Sequence, residues 1–276
     1  MLDLRQSWTY RRILNLLPIL VLALLLLTVP RTAHAWGPIG HKTIARIAQQ
    51  YISPKVHSRL KLYFGKDVAL EKLAMWADDI CDQRPETKPW HHLQIAPEAT
   101  SFDIKRDCPK GNCITEKTRE FVGIARLALR RKNELLEPIK FILHFGGDLH
   151  QPLHLGHPQN RNGKDIAVEL NGQPMNLQEA WSTGILNLNG ENDRELAERL
   201  IRRITPELER KSRNGLLQDW SWETHLVAIR VAYGSLPSGS PKILDEFYIH
   251  RAQSTIEDQL IKGGLRLAEL LNRVWP

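Results

Sequence analysis

Apolar positions recur at helical spacing along most of the chain. Ile44, Ala45, Ile47, Ala48, Tyr51 and Ile52 predict an amphipathic helix from about His41 to Ile52. Ser53-Pro54 caps a second, running to about Phe64 and ended by Gly65. Ala69 to Ile80 predicts a third and contains Trp76-Ala77-Asp78, whereas Pro85 to Pro97 is extended or looped and carries Trp90-His91-His92-Leu93-Gln94. Thr115 to Lys132 is amphipathic and leads to a central apolar helix, with Pro138 expected at its first position, where the missing N–H is harmless. Ile166–Leu170, the Asn171-Gly172 turn and Gln173–Leu177 predict a small hairpin. Further helices are expected at Asn176–Leu188, Asp193–Ile204, Asp219–Tyr233 and Gln253–Val274. No repeat or low-complexity linker breaks the pattern. The expectation is a mainly α fold, one helical domain with a single β-hairpin.

The central helix carries the chemistry. His144 and Asp148 are four apart and share a face, and Pro152 ends the helix so that His154 can turn back toward it. Polar groups aligned in so apolar a helix are costly to bury without partners. One such histidine is usually a hydrogen-bonded core residue. His144, Asp148 and His154 together point to metal ligation, and imidazole with carboxylate suits zinc.

The first 35 residues read as an export signal and not as part of the fold. Arg5, Arg11 and Arg12 form a basic leader, Leu16–Val29 an apolar core, and Ala33-His34-Ala35 an A-x-A cleavage site. The rival reading is a membrane anchor, but the apolar run after Pro18 is short for a span of about 20 residues. Cleavage after Ala35 leaves 241 of 276 residues, one domain by size, with no membrane anchor. It makes Trp36 the first residue, with a free α-amine five positions before His41. Four arginines and one aspartate leave with the leader, so the formal charge falls from +7 to +4. That mild excess suits an anionic substrate. Export permits disulfides, and Cys108-Pro-Lys-Gly-Asn-Cys113 suits a short closed loop better than half of a metal site lacking a second pair. Cys81 is left over, either a buried thiol or an intermolecular partner.

In order along the chain, Trp36-Gly-x-x-Gly-His41, Trp76-Ala-Asp78, Trp90-His91, the Cys108/Cys113 pair, His144-Phe-Gly-Gly-Asp148-x-His-Gln-Pro-Leu-His154 and Asn176-Leu-x-x-x-Trp181 resemble the trinuclear-zinc, single-strand-preferring nucleases of the S-one/P-one type. The stretch Gly263–Asn272 is similar to that family's last helix. The resemblance covers essentially the whole mature chain. It implies one zinc held by the amine and carbonyl of Trp36, His41 and Asp148, and a second held by Asp78, His91, His144 and the other oxygen of Asp148. Asp148 and Asp78 would be the catalytic carboxylates of a bridged pair about 3.5–4 Å apart, sharing an activated hydroxide for in-line attack on a phosphodiester.

The third zinc of such nucleases would take His154 together with a His and an Asp from an Asn-Leu-His-x-x-Trp-Asp pattern. Here that pattern is Asn176-Leu177-Gln178-Glu179-Ala180-Trp181-Ser182, so both partner ligands are changed. Gln178 and Ser182 are poor zinc ligands. The expectation is two firmly bound zinc ions and a third weak or absent, unless His150, His157 or Glu179 replaces the lost donors. His91-His92-Leu93-Gln94 also departs from the His-Tyr/Phe-x-Asp/Asn pattern that such nucleases commonly carry after the tryptophan, with Gln94 where an acidic group near the nucleophile would stand. The usual Gly-Gly-Asn before the hairpin has become Asn162-Gly163-Lys164, and Lys164 is a candidate phosphate contact or a solvated loop lysine.

The implied function is a secreted or periplasmic, monomeric zinc phosphodiesterase acting on single-stranded DNA, RNA or nucleotides. The alternatives are a catalytically impaired zinc-binding homologue that binds nucleic acid and an esterase of the zinc phospholipase C type. No aromatic-basic stripe of a sequence-specific nucleic-acid binder is present.

Overall fold

A computed structural model describes residues 36–127 and 132–276. The expected export signal at 1–35 lies outside the described residues. The chain opens with α1 (Pro38–Tyr51) and α2 (Pro54–Phe64), the latter capped by the Ser53 hydroxyl accepting from the Val56 amide. The stretch expected as one helix to Ile80 is two short pieces, Leu70–Leu73 and α3 (Trp76–Ile80). A 3₁₀ segment at Pro85–His91 follows, then the bonded Cys108–Cys113 pair and α4 (Ile114–Leu127).

The central helix, α5, spans Lys132–Asp148, so Pro138 lies inside it and not at its start. A mid-helix proline loses one hydrogen bond. The good helix formers before it and the buried Ile139, Phe141, Ile142, Leu143 and Phe145 after it outweigh that loss. Beyond α5 a 3₁₀ turn at Pro152–Leu155 carries His154.

The hairpin forms as expected. β1 (Ala167–Leu170) pairs antiparallel with β2 (Gln173–Asn176) around Asn171 and Gly172, both at positive φ. A two-residue strand, β3 (Lys242–Ile243), adds parallel to β1, so the sheet has three strands in the order β2-β1-β3. Two residues carry too little alternation to be seen in sequence.

After β2 come a short helical stretch at Leu177–Glu179 that widens into a π-turn at Ala180–Gly184, α6 (Asp193–Ile201), α7 (Pro206–Arg213), α8 (Leu217–Val227) and α9 (Glu246–Val274). Periodicity does not announce α7, which is charged nearly all round. A Thr205 cap and the i,i+4 pairs Glu207–Lys211 and Glu209–Arg213 support it. The longest helix, α9, begins seven residues before its expected start and packs against α1 and α5. The core lies among these three helices, and Trp181 and Trp220 are buried in it. Among the described residues no helix is long and apolar enough to cross a membrane.

Candidate metal centre

Two glycines let α5 carry a site inside the core. A Cβ on Gly146 would come within 3.1 Å of Leu267 Cβ on α9, and one on Gly147 within 2.5 Å of His41 Nδ1. Only hydrogen fits between α5 and the His41 ring. The Trp36-Gly-x-x-Gly-His41 lead is equally tight. A Cβ on Gly40 would sit 2.7 Å from Trp36 Cβ, and the Gly37 amide donates to the Ser182 carbonyl at 2.9 Å. The Trp36 indole, fully buried, donates to the Gly147 carbonyl at 3.0 Å. The predicted mature terminus is thus pinned one residue from Asp148.

Asp148 is the hub. Its Oδ1 lies 3.3 Å from His41 Nε2, while its Oδ2 lies 2.9 Å from His91 Nδ1 and 3.1 Å from His144 Nε2. Asp78 Oδ1 is 3.5 Å from His144 Nε2 and 4.0 Å from His91 Nδ1. The rings of His41 and His144 stack with centroids 4.1 Å apart. Among the described residues, three groups of side chains bring donors close enough to hold a cation: His41, Asp78 and His144; His91, His144 and Asp148; and Asp78, Cys81 and His91. The first two are His/Asp groups set deep in the core. The third is less buried and borrows Asp78 and His91 from the others.

The far side of each ring fixes which nitrogen faces the centre. His144 Nδ1 donates to the Ala74 carbonyl at 2.7 Å, so Nε2 points inward with its lone pair. His91 Nε2 lies 3.3 Å from Cys81 Sγ, leaving Nδ1 for the centre. Cys81, the leftover thiol of the sequence, is therefore half-buried beside a candidate ligand, and only its position three residues after Asp78 hinted at this. Both His41 nitrogens and Asp148 Oδ1 are buried without a hydrogen-bond partner. Orphaned imidazole and carboxylate atoms converging in an apolar core are what a bound cation satisfies, and the donor set fits zinc.

The electrostatics agree. Burial works against a charged Asp148, but His144, His41 and His91 outweigh it and hold the carboxyl far below its usual range. Burial also opposes a proton on His91, yet Asp148 and Cys81 lift it to about 10. His144 is raised against its burial by Asp148 and Asp78. Burial and the His144 charge lower His41. Burial raises the Cys81 thiol, and the His91 ring more than reverses that. The cluster binds positive charge strongly, as protons or as metal.

A profile of the S1/P1 nucleases matches residues 36–276, all of the predicted mature chain. The chain belongs to that family. Among its relatives, Endonuclease 2 of Arabidopsis thaliana is 26% identical over 93% of this chain and 96% of its own. Nuclease P1 of Penicillium citrinum is 27% identical over 87% of this chain and 97% of its own, and Nuclease S1 of Aspergillus oryzae 30% over 58% and 57%. As an S1/P1 nuclease the chain is a zinc-dependent, nuclease-type hydrolase. Its two buried His/Asp groups fit two firmly held zinc ions.

His154 stands apart from them. Its Nδ1, 3.9 Å from Asp148 Oδ1, donates to the His91 carbonyl at 2.7 Å, and its buried Nε2 has no partner. It belongs to none of the cation-holding groups among the described residues. The three candidate replacements are engaged elsewhere. His150 bonds to the Gly146 carbonyl through Nδ1 and faces Arg266 Nη1 at 3.2 Å. His157 Nε2 meets the Asn160 side chain at 3.0 Å. Glu179 closes a capping box with Asn176. Lys164 sits half-buried in the loop before the hairpin, as the sequence placed it.

Proposed function

We propose that the chain, cut after Ala35, is a secreted or periplasmic zinc phosphodiesterase that hydrolyses single-stranded DNA, RNA or nucleotides as a monomer. One observation carries the reading. A fully buried carboxylate, Asp148, turns one oxygen toward His41 and the other toward His91 and His144. That is the arrangement of a bridging ligand between two cations. On this reading Trp36 and His41 hold one ion with Asp148, and Asp78, His91 and His144 hold the other with it. The Trp36 indole, bonded to Gly147, positions the terminal amine, whose ordinary pKa near 8 allows it to lose its proton. When bound, the zinc pair supplies Lewis-acid polarisation of a phosphate oxygen and acidifies water at neutral pH.

The chain's own groups do the rest. Asp148 and Asp78 would supply the negative charge that balances the bound ions. Ala74 and Cys81 fix the rings of His144 and His91 from behind. Lys164 meets the substrate phosphate. The plant and fungal relatives named as endonucleases and nucleases support a nucleic-acid substrate.

The changed Gln178 and Ser182 favour a second reading, a homologue that keeps zinc and binds nucleic acid without cutting it. Incubation of purified mature protein with a single-stranded oligonucleotide separates them. Cleavage abolished by a chelator and restored by zinc is expected. Zinc-loaded protein that binds the oligonucleotide intact would establish the impaired homologue, and turnover of lecithin alone would establish the esterase.

A further inference from the structure

The donors around His154 do not fit a third zinc. Gln178, where the resemblance expects histidine, is fully buried, and neither its amide oxygen nor its nitrogen has a partner. Ser182, in the place of aspartate, accepts a hydrogen bond from Gln151 Nε2 at 2.8 Å, while Gln151 Oε1 takes the Leu153 amide. A lone imidazole nitrogen beside a neutral amide is a poor zinc site.

The loop beside Gln178 carries a cation from the chain. The loop ahead of β1 passes through Arg161, Asn162 and Gly163, all at positive φ, a costly backbone for the first two. It is fixed by the Arg161–Asp165 ion pair and by the Gly163 amide donating to Asn160 Oδ1 at 2.8 Å. Gly163 lies against the pocket wall, where an added Cβ would touch Leu153 at 3.4 Å and the Gln178 backbone nitrogen at 3.5 Å. The next residue is Lys164. Lys164 is half-buried there, and the ring of His92 lies against that of His154 with centroids 4.4 Å apart. Among the described residues no acidic side chain forms an ion pair with Lys164.

We propose that the Lys164 ammonium replaces the third metal of this family, contacting a phosphate oxygen of the substrate and keeping zinc out of the His154 pocket. The inference rests on the nuclease reading. An ammonium is a compact point charge with three donors, well suited to phosphate, but it carries one charge where zinc carries two and is no Lewis acid. The pocket then offers Lys164, the Gln178 amide and His154 Nε2, a metal-free set that hydrogen-bonds a phosphate and its neighbouring hydroxyl.

Zinc stoichiometry by native mass spectrometry and affinity for inorganic phosphate by calorimetry test this together. Wild-type protein should hold two zincs, and Lys164→Met should still hold two but bind phosphate about tenfold more weakly, as loss of a charged hydrogen bond implies. The double variant Gln178→His/Ser182→Asp should remain at two zincs, and adding Lys164→Asn should admit a third. Three zincs in the wild type, a third zinc in the double variant with Lys164 in place, or unchanged phosphate affinity in Lys164→Met would overturn the inference while leaving the nuclease reading intact. Should the triple variant not fold, the single Lys164→Met change, in a half-buried loop position, still decides it. Wild-type protein without zinc would overturn both.

Discussion

Two groups of donors lie either side of His91, one at its ring and one at its carbonyl, and they differ in how many donors face one another. Around Asp148, donors from α1, α3, the Pro85–His91 segment and α5 converge, and the rings of His91 and His144 are braced from behind. Around His154 the ring is equally well braced, by the His91 carbonyl, yet among the described residues its Nε2 has no hydrogen-bond partner and it joins no cation-holding group. A correctly aimed imidazole is thus not a metal site. The partner donors decide, and two substitutions on one helical turn are enough to remove them.

The largest test of that contrast is Asp148→Asn set against His154→Ala. Losing the shared carboxylate should strip both zincs and cut oligonucleotide hydrolysis by about three orders of magnitude or more, since metal and bridging charge go together. His154→Ala should leave two zincs and slow turnover by about tenfold. Equal losses in the two variants, measured by plasma emission and single-turnover cleavage, would erase the distinction.

Next come the glycines. Gly147→Ala drives a methyl into His41 and should weaken zinc binding by about 10–100-fold, the range for displaced metal-site partners. Gly146→Ala presses instead on Leu267 and should cost about 1–3 kcal/mol of stability with zinc affinity kept. Chelator competition and denaturant melts on both variants would show whether the two neighbours divide their effects in this way.

A smaller effect is expected at Cys81. Replacing it by alanine removes the brace behind His91 and should lower zinc affinity by about tenfold, with a smaller loss in Cys81→Ser, which keeps a hydrogen-bonding side chain. Identical affinities for wild type and Cys81→Ala would mean that the contact does not orient the ring.

A pH effect is expected at His150. Burial, then the Arg266 charge, pushes His150 down to about 3. The unfolded chain takes up that proton first, so stability from His150 is complete above its ordinary value near 6.5. It declines as pH falls from there toward 3, by at most about 1.4 kcal/mol per unit. His150→Gln should show a shallower acid slope in urea titrations. An unchanged slope would place the acid sensitivity elsewhere.

Much of this was legible in the residues. The i,i+4 spacing of His144 and Asp148 set two donors 3.1 Å apart, and the turn at Pro152 leaves His154 Nδ1 3.9 Å from Asp148 Oδ1. The Asn171-Gly172 turn and the Cys108–Cys113 loop follow from short-range rules that tertiary context rarely overrides. Elements resting on balance were not legible. Pro138 sits mid-helix because burial on both sides outweighs its defect, and α7 has no apolar stripe to announce it. At the site, the Asn176–Glu179 capping box is a short-range signature open to reading, but Cys81 behind His91 and His150 beside Arg266 depend on ring orientation or on a contact far apart in sequence. Spacing along the chain encodes neither.

The central claim is that two metal ions share Asp148 and that none sits at His154. Anomalous diffraction at the zinc edge, from crystals of protein whose amino terminus is verified as Trp36, tests it most directly. Two peaks about 3.5–4 Å apart, one on each oxygen of Asp148, with no density beside His154 Nε2, are predicted. A single peak, no peak, or a third on His154 would contradict it.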